Sequence, residues 1–383
     1  MKTTFKLTYE LTLPFAFLLG MVLAYIVPYK LNFLTTLAWL FTNFFFIIAP
    51  IIIFIILTSS LSTRKEQSKL TNYTIISFFI SGLASSILAT FVISLMNYKS
   101  YSEITLNINT VALLETIING LLKPIPLSII ASIIATYTIM KIKTVNKIMT
   151  TLNNALLQIF KIFVKILPII AIAFGTSLYY TLKNASITAY IETLTLSLTL
   201  MLSYILILFT IIHKNLNINL KKLTSYTFKI FTIGASLPSS YILLPIHLKI
   251  FTQHFQINKE IRDFVITLGA ALNRSGSIIG VIASVYITSQ YLNIQITLPQ
   301  YIILAILTAI IGFASPGIPG GTILITMPII IDILKISNIE SFSLTSIALF
   351  NGITIITAAT NTITTGYITL LIHKITNKPN KSL

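Results

Sequence analysis

The chain of 383 residues contains no cysteine, one tryptophan and only nine acidic residues, against 26 lysines and arginines. The absence of cysteine excludes disulfides and thiolate metal sites, and it carries no information about compartment. Charged residues make up 9% of the chain, whereas soluble domains carry about 25%. With 55% hydrophobic residues and a mean hydropathy of +0.91, the composition excludes a soluble globular domain and indicates a polytopic membrane protein.

The formal net charge of +17 does not indicate a nucleic-acid partner. The basic residues lie between hydrophobic runs and do not form a binding face, and neither zinc-finger spacing nor basic–aromatic interleaving occurs. The partner that this composition predicts is the lipid bilayer, and no nucleic acid.

Eight hydrophobic segments are long enough to cross a bilayer. They lie at about 11–29, 33–61, 73–97, 111–140, 150–181, 188–213, 263–290 and 343–373. Lysine and arginine concentrate in alternate connectors, such as "STRKEQSK" and "MKIKTVNK", and are sparse around Lys30, Lys99 and Lys183. The positive-inside rule therefore places both termini in the cytoplasm and predicts a multi-pass protein of the bacterial cytoplasmic membrane.

Two further apolar stretches, at about 225–250 and 300–335, are interrupted by proline and glycine. The first contains "GASLPSSYILLP" and the second "FASPGIPGGTILITMP". Proline and glycine at membrane depth leave backbone groups unpaired, which is tolerated only where protein or a water-filled cavity satisfies them. A pair of interrupted segments at matching positions is typical of a binding site near the bilayer midplane. The alternative interpretation is two kinked packing helices.

At these residues the chain resembles the dicarboxylate/amino acid:cation symporter family, the glutamate transporter homologues. The family's first hairpin tip is similar to "SSYILLP", its seventh-helix motif to "NRSGS" and its second hairpin to "GIPG". The family's second, fourth and fifth helices resemble "FFFIIAPIIIFIILTSSLST", "NGLLKPIPLSIIASIIA" and "KILPIIAIAF", and its eighth resembles "TAATNTITTG". The resemblance runs nearly from end to end of the chain.

The resemblance implies an all-α polytopic membrane protein with eight transmembrane helices, two re-entrant helical hairpins and a homotrimeric assembly. Scaffold helices one and two would occupy residues 1–72, and scaffold helices four and five would occupy 98–187. Helix three, at 73–97, would join a transport-domain core at 188–383 that contains helix six, hairpin one, helix seven, hairpin two and helix eight. Such a transport domain carries substrate across the membrane by an elevator motion.

The same resemblance implies a substrate pocket between the hairpin tips and the seventh and eighth helices. Its residues are Ser239, Ser240, Arg274, Ser277, Gly317, Ile318, Pro319, Gly320, Gly321, Thr354, Thr357 and Asn361. Weak cation binding would involve Gly269, Asn273, Ser275, Asn361 and Thr365. The implied substrate is a small carboxylate or an amino acid, and Na+ is the candidate coupling ion. No other cofactor or metal and no enzyme activity are expected.

The chain departs from the family at its charged positions. The eighth-helix arginine that grips a substrate carboxylate is Thr357 here, and the aspartate that pairs with a substrate amine is Thr354. Two carboxylates of the family's sodium sites are Ser275 and Thr365. By this alignment no acidic residue falls in the substrate and sodium core; the nine are Glu10, Glu66, Glu103, Glu115, Glu192, Glu260, Asp263, Asp332 and Glu340. We therefore expect weak sodium binding and no counter-charge for an ammonium group.

Arg274 is the third of three arginines, and it lies near the middle of the apolar segment 263–290. An arginine at a helix centre costs about 2.5–3.5 kcal/mol on insertion scales, so we expect it to have a specific role. One hypothesis is that its fixed charge replaces a bound cation and attracts an anionic substrate. The alternative is a structural arginine that is satisfied by hairpin carbonyls and never contacts substrate.

Two histidines, His247 and His254, follow the first hairpin tip. We expect both at the cytoplasmic interface and not in a proton pathway. The absence of carboxylates from the core also disfavours a carboxylate proton relay.

The sequence as a whole predicts a secondary active transporter of small carboxylate-bearing solutes, with cation symport expected from the family. Three alternatives of another kind remain open: an uncoupled carrier, an anion conductance, and a degenerate paralogue that binds a ligand or a partner protein without coupled transport.

Overall fold

The computed structural model describes residues 4–27, 32–62, 67–96, 124–138, 142–183, 187–315, 320–334, 336 and 339–376. These residues form fourteen helices and no strand, which confirms the all-α class. The first six are α1 (Thr4–Ile26), α2 (Asn32–Ser62), α3 (Gln67–Met96), α4 (Pro124–Thr138), α5 (Lys143–Lys183) and α6 (Ile187–Leu216). The other eight are α7 (Leu220–Gly234), α8 (Ser240–His254), α9 (Lys259–Leu272), α10 (Ser275–Tyr291), α11 (Leu298–Ala314), α12 (Gly321–Leu334), α13 (Ile339–Gly352) and α14 (Thr354–Thr376).

The described helices include stretches that suit a bilayer. Four of these stretches are long and apolar enough to cross it: Lys69–Met96, Ile187–Leu216, Lys259–Tyr291 and Thr354–Thr376. Large apolar side chains such as Phe91 and Leu206 are exposed on outward faces, as contact with lipid requires. The chain is thus a multi-pass membrane protein. The first part of the predicted span 111–140 lies outside the described residues, and the total of eight spans stays a prediction.

Helices α1, α2, α4 and α5 pack mainly on one another. The crossing of α1 and α5 is especially close, because a Cβ atom added to Gly20 would lie 2.0 Å from the Ile172 carbonyl oxygen. A Cβ atom added to Gly175 would likewise lie 1.9 Å from the carbonyl oxygen of Phe17. Thr176 Oγ1 donates to the Gly20 carbonyl at 3.1 Å across the same crossing. Glycines at a membrane helix interface let the two backbones touch.

Two helical hairpins stand where the interrupted stretches predict them. The first hairpin is α7 with α8, and the second is α11 with α12. Asn219 begins the first by accepting a hydrogen bond from the Lys221 N–H at 2.8 Å. Gln300 Oε1 accepts from the Thr297 N–H at 2.9 Å where the second begins. Each hairpin therefore has a side-chain cap at its entrance, which satisfies backbone donors that a helix start leaves unpaired.

Two predicted spans are not continuous helices. In the segment 263–290, α9 ends at Leu272 and α10 begins at Ser275; in 343–373, α13 ends at Gly352 and α14 begins at Thr354. The expectation that Arg274 lies at a helix centre is therefore wrong, because it lies in the break between α9 and α10. The physical reason is that side chains of another helix satisfy the backbone groups freed by this break.

His247 is buried within the protein, since its side chain is only 3% exposed, and its expected place at the cytoplasmic interface stays a prediction. Its Nε2 lies 2.8 Å from the hydroxyl of Tyr226, across the first hairpin. The second histidine, His254, is half-buried and its Nε2 lies 3.2 Å from Ser225 Oγ. Both histidines join α8 to α7, and a hydroxyl partner makes burial of the His247 imidazole tolerable.

Candidate functional site

The break between α9 and α10 is closed by a side chain from α14. Asn361 Oδ1 accepts from the N–H groups of Gly276 at 2.8 Å and Ser277 at 3.3 Å, the second and third residues of α10. The Asn361 Nδ2 group donates to Ser277 Oγ at 2.9 Å. The amide of Asn361 thus acts as a helix cap supplied from a distant part of the chain.

Asn273 fills the other side of the break. Its Nδ2 group lies 3.0 Å from the Asn361 carbonyl oxygen, 2.8 Å from Thr364 Oγ1 and 2.9 Å from Thr365 Oγ1. Its Oδ1 accepts from Ser275 Oγ at 2.5 Å. These five residues are almost completely buried, so the cluster is a polar island inside the protein.

The predicted cation-binding residues lie together at this island. Asn273, Ser275, Asn361 and Thr365 are joined by the hydrogen bonds above. A Cβ atom added to Gly269 would lie 2.3 Å from Thr365 Cγ2, so this glycine allows α9 to approach α14 closely. The structure adds Thr364, which the sequence did not single out.

The polar island continues into α3 and α6. Ser275 Oγ lies 3.1 Å from Ser81 Oγ, which in turn lies 2.8 Å from the Tyr204 hydroxyl. That hydroxyl also donates to the Ser81 carbonyl at 2.9 Å. Sequence analysis missed Ser81 and Tyr204, although each is a polar side chain within an apolar span and could have been flagged on that ground.

Arg274 lies beside the island and is only 2% exposed. Its Nη1 donates to the carbonyl oxygens of Ala270 and Asn273, both at 3.1 Å, and its Nη2 donates to the carbonyl of Ala271. Its Nε donates to the carbonyl of Ser315, the residue that ends α11, at 3.3 Å. The guanidinium therefore joins the C-terminal end of α9 to the C-terminal end of the first arm of hairpin two.

The tip of hairpin one approaches α14, and the tip of hairpin two approaches the end of α13. A Cβ atom added to Gly234 would lie 2.7 Å from Ala359 Cα, and one added to Gly320 would lie 2.7 Å from Asn351 Oδ1. Gly320 has a φ of +73°, a conformation that glycine adopts without strain. Ser315 Oγ lies 2.9 Å from Thr322 Oγ1 and so links the two arms of hairpin two.

The predicted substrate residues fall into two groups. At the hairpin tips, Ser239 and Ser240 are buried at the start of α8, and Gly320 and Gly321 lie at the start of α12. The predicted contacts Gly317, Ile318 and Pro319 lie outside the described residues. On the broken helices are Arg274, Ser277, Thr354, Thr357 and Asn361, all of them buried.

Thr354 and Thr357 stand at the start of α14 and carry no charge. The Thr354 hydroxyl donates to the Asn351 carbonyl and the Thr357 hydroxyl to the Thr354 carbonyl, both at 2.8 Å. A Cβ atom added to Gly276 would lie 2.6 Å from the Thr357 carbonyl oxygen, so α14 and α10 are in direct backbone contact. Because both hydroxyl protons are donated to main-chain carbonyls, these threonines offer a substrate only their oxygen atoms as hydrogen-bond acceptors.

The described residues offer a cation only neutral oxygens at this site. No group of three or more His, Asp or Glu side chains able to hold a metal occurs in the described part of the chain. The nearest acidic residue along α9, Asp263, is instead paired with Arg262, whose Nη2 lies 2.7 Å from Asp263 Oδ1. The oxygens around the break are already contacted by N–H donors of Asn273 and Arg274.

Paired re-entrant hairpins that meet at a broken, polar helix inside an apolar bundle define the class as a membrane transporter. The family model described as sodium:dicarboxylate symporter family matches residues 10–375, and the chain belongs to that family. The resemblance found in the sequence is thereby confirmed. No individual curated protein matches the chain.

Proposed function

We propose that the protein is a secondary active transporter that moves small carboxylate-bearing solutes, dicarboxylates or amino acids, across the cytoplasmic membrane. Family membership supports transport without covalent chemistry. The observation that carries the proposal is that hairpin one packs on α14 at Gly234, hairpin two contacts Arg274 in the α9–α10 break through Ser315, and Asn361 of α14 caps that same break. A binding site between broken helices at membrane depth is the arrangement that such transporters use.

We place the substrate between the tips of the two hairpins, against Ser277 and Asn361. Helices α8, α10, α12 and α14 all begin in this region. Because helix N-terminal ends carry partial positive charge, they favour a carboxylate there. None of the described side chains that we assign to the site is a carboxylate, so the ammonium group of an amino acid would lack a counter-charge, and of the two proposed substrate classes a dicarboxylate suits the site better.

We further propose that α1, α2, α4 and α5 form a fixed scaffold and that α3 and α6–α14 form the moving domain. The mutual packing of the first group and the packing of α3 against α10 and α11 support this division. The boundaries follow those of the sequence prediction, at 1–72, 73–97, 98–187 and 188–383. Elevator motion and homotrimeric assembly belong to the same proposal.

The test is uptake by purified protein in proteoliposomes, with labelled glutamate, aspartate, succinate, serine and cystine, each with and without an inward sodium gradient. We expect saturable uptake and counterflow of at least one of these solutes, and loss of both in Asn361→Ala, which removes the cap of α10. Flux that does not saturate would instead indicate a conductance. Ligand-induced stabilisation without any flux would indicate a binding protein, and either result would overturn the proposal.

A further inference from the structure

The oxygens that surround the Arg274 guanidinium come from two helix ends. Ala270, Ala271 and Asn273 belong to the last turn and cap of α9, and Ser315 to the cap of α11. Such ends carry unpaired carbonyls and partial negative charge. In transporters with broken helices, half-helix C-terminal ends and unwound carbonyls coordinate the coupling cation.

We propose that Arg274 is a tethered cation, which takes the place of a coupling sodium ion between the ends of α9 and α11 and holds hairpin two closed without sodium. The consequence for transport rests on the proposed function, whereas the closure itself does not. The Arg274 side chain donates hydrogen bonds to four carbonyl oxygens. These carbonyls therefore have hydrogen-bond partners, and the positive charge of the guanidinium compensates their partial negative charge.

The neighbouring oxygen cluster fits a sodium ion no better. There, the Asn273 amide nitrogen faces the Asn361 carbonyl and the hydroxyls of Thr364 and Thr365 at 2.8–3.0 Å. The Arg274 guanidinium occupies the first set of oxygens, and the Asn273 amide occupies the second. The sodium dependence implied by the family therefore disagrees with the residues present in this chain.

The hydrogen bond from Arg274 Nε to the Ser315 carbonyl is the contact that would hold hairpin two closed. It ties the first arm of hairpin two to the broken helix, and Ser315 Oγ also lies 2.9 Å from Thr322 Oγ1 on the second arm. One fixed charge thus joins the broken helix to hairpin two.

A charge that cannot dissociate also changes the energetics of the transport cycle. A bound sodium ion enters with substrate and leaves with it, so it transmits the energy of its gradient. Arg274 travels with the domain in both directions, loaded or empty, and transmits none. This site is therefore expected to pass no energy from a sodium gradient to the substrate, and any accumulation of substrate must be driven by another gradient.

The experiment measures hydrogen–deuterium exchange of residues 298–334 in nanodiscs, in sodium chloride and in choline chloride. In the unaltered protein we expect the same exchange in both salts. In Arg274→Met the thioether leaves the four carbonyls open, so exchange in choline should be about tenfold faster, and sodium should restore protection. Arg274→Lys should fall between the two, because it keeps the charge and offers fewer donors.

Arg262→Met is the matched control, because that arginine pairs with Asp263 and not with hairpin carbonyls. It should leave hairpin exchange unchanged in either salt. Sodium-dependent protection in the unaltered protein, or sodium-independent exchange in Arg274→Met, would overturn the inference. If Arg274→Met does not fold, the unaltered protein and Arg274→Lys still decide the question. No arm requires transport, so absence of uptake would refute the proposed function and leave this result standing.

Discussion

Two adjacent side chains, Asn273 and Arg274, divide the work of stabilising the break in the seventh predicted span. Asn273 directs its amide to oxygens of α14, and Arg274 directs its guanidinium to carbonyls of α9 and α11. A buried carbonyl without a hydrogen-bond donor costs about 1–3 kcal/mol. By supplying donors, the two residues together remove much of the free-energy cost of interrupting the helix inside the protein. Neither interaction needs a carboxylate.

At the residue scale, Asn361 is expected to serve both stability and binding. Asn361→Ala removes the acceptor of two buried N–H groups and should destabilise the protein by about 1–2 kcal/mol while abolishing saturable uptake. Thermal unfolding in detergent and uptake in proteoliposomes measure the two effects.

Asn258→Ala provides the comparison for this variant. Asn258 caps α9 by accepting from the N–H groups of Glu260 at 2.8 Å and Ile261 at 3.3 Å, at an exposed position. Water can replace that cap, so the loss should be about 0.5 kcal/mol and uptake should persist. Unimpaired uptake by Asn361→Ala would show that the cap does not shape the binding site.

Most residues of the polar island could be predicted from the sequence, whereas the hydrogen-bond partners of Arg274 could not. Ser275, Asn273 and Thr365 could be placed near a cation site because their positions match a motif, and the structure brings them together. The partners of Arg274 were left as two hypotheses, substrate or hairpin carbonyls. Main-chain carbonyls are the same in every sequence, so no pattern of side chains reveals which of them will converge.

At the scale of elements, the crossing of α1 and α5 brings two backbones into direct contact. Gly20→Ala would place a methyl group 2.0 Å from the backbone of Ile172, which cannot rotate away. We expect the two helices to separate, with a loss of about 1–3 kcal/mol or more in stability, seen as a lower unfolding temperature.

Gly82→Ala is the control at the same scale. A Cβ atom there would meet only Ile278 Cδ1, at 3.2 Å, which is the end of a flexible side chain. Alanine also favours a helix over glycine by about 1 kcal/mol, so this variant should be neutral or slightly stabilised. An equal loss in both variants would mean that the α1–α5 contact has no special role.

Elements were predictable where the signal was local. The hairpins carry proline and glycine at their tips, which mark a turn in any context. The break at Asn273 and Arg274 has no such marker, because it is held by Asn361, which is 84 and 85 residues away from the N–H groups that it caps. The end of α13 at Gly352 is marked by only a single glycine, and Thr354 resumes the helix after one residue.

At the scale of the whole molecule, the C-terminal end of α14 contacts the C-terminal end of α6. The Lys374 Nζ group, at the end of α14, donates to the carbonyl of Asn215 at the end of α6. The last described residues of α14 and the start of the connector "HKNLNINLKK" therefore lie at the same end of the protein, as the positive-inside rule predicts for two cytoplasmic segments. Hairpin one follows that connector directly, whereas hairpin two follows the uncharged segment 292–297 after α10 has crossed back. This order predicts that the two hairpins enter from opposite faces, which would give the proposed binding site between their tips one gate to each side.

This arrangement predicts the orientation of the chain, and the absence of cysteine makes the test direct. We expect Ser100→Cys to react with a membrane-impermeant maleimide in intact cells, and Ser382→Cys to react only in inside-out vesicles. Both positions lie outside the described residues, so the expectation rests on the charge of the connectors. The Leu206 side chain is 64% exposed on the surface of the apolar helix α6, where we expect it to face lipid. Leu206→Cys should therefore react with the maleimide in neither preparation. The reverse pattern at Ser100 and Ser382 would exchange the two gates, so that hairpin one would face the outside and Arg274 would secure the cytoplasmic gate instead.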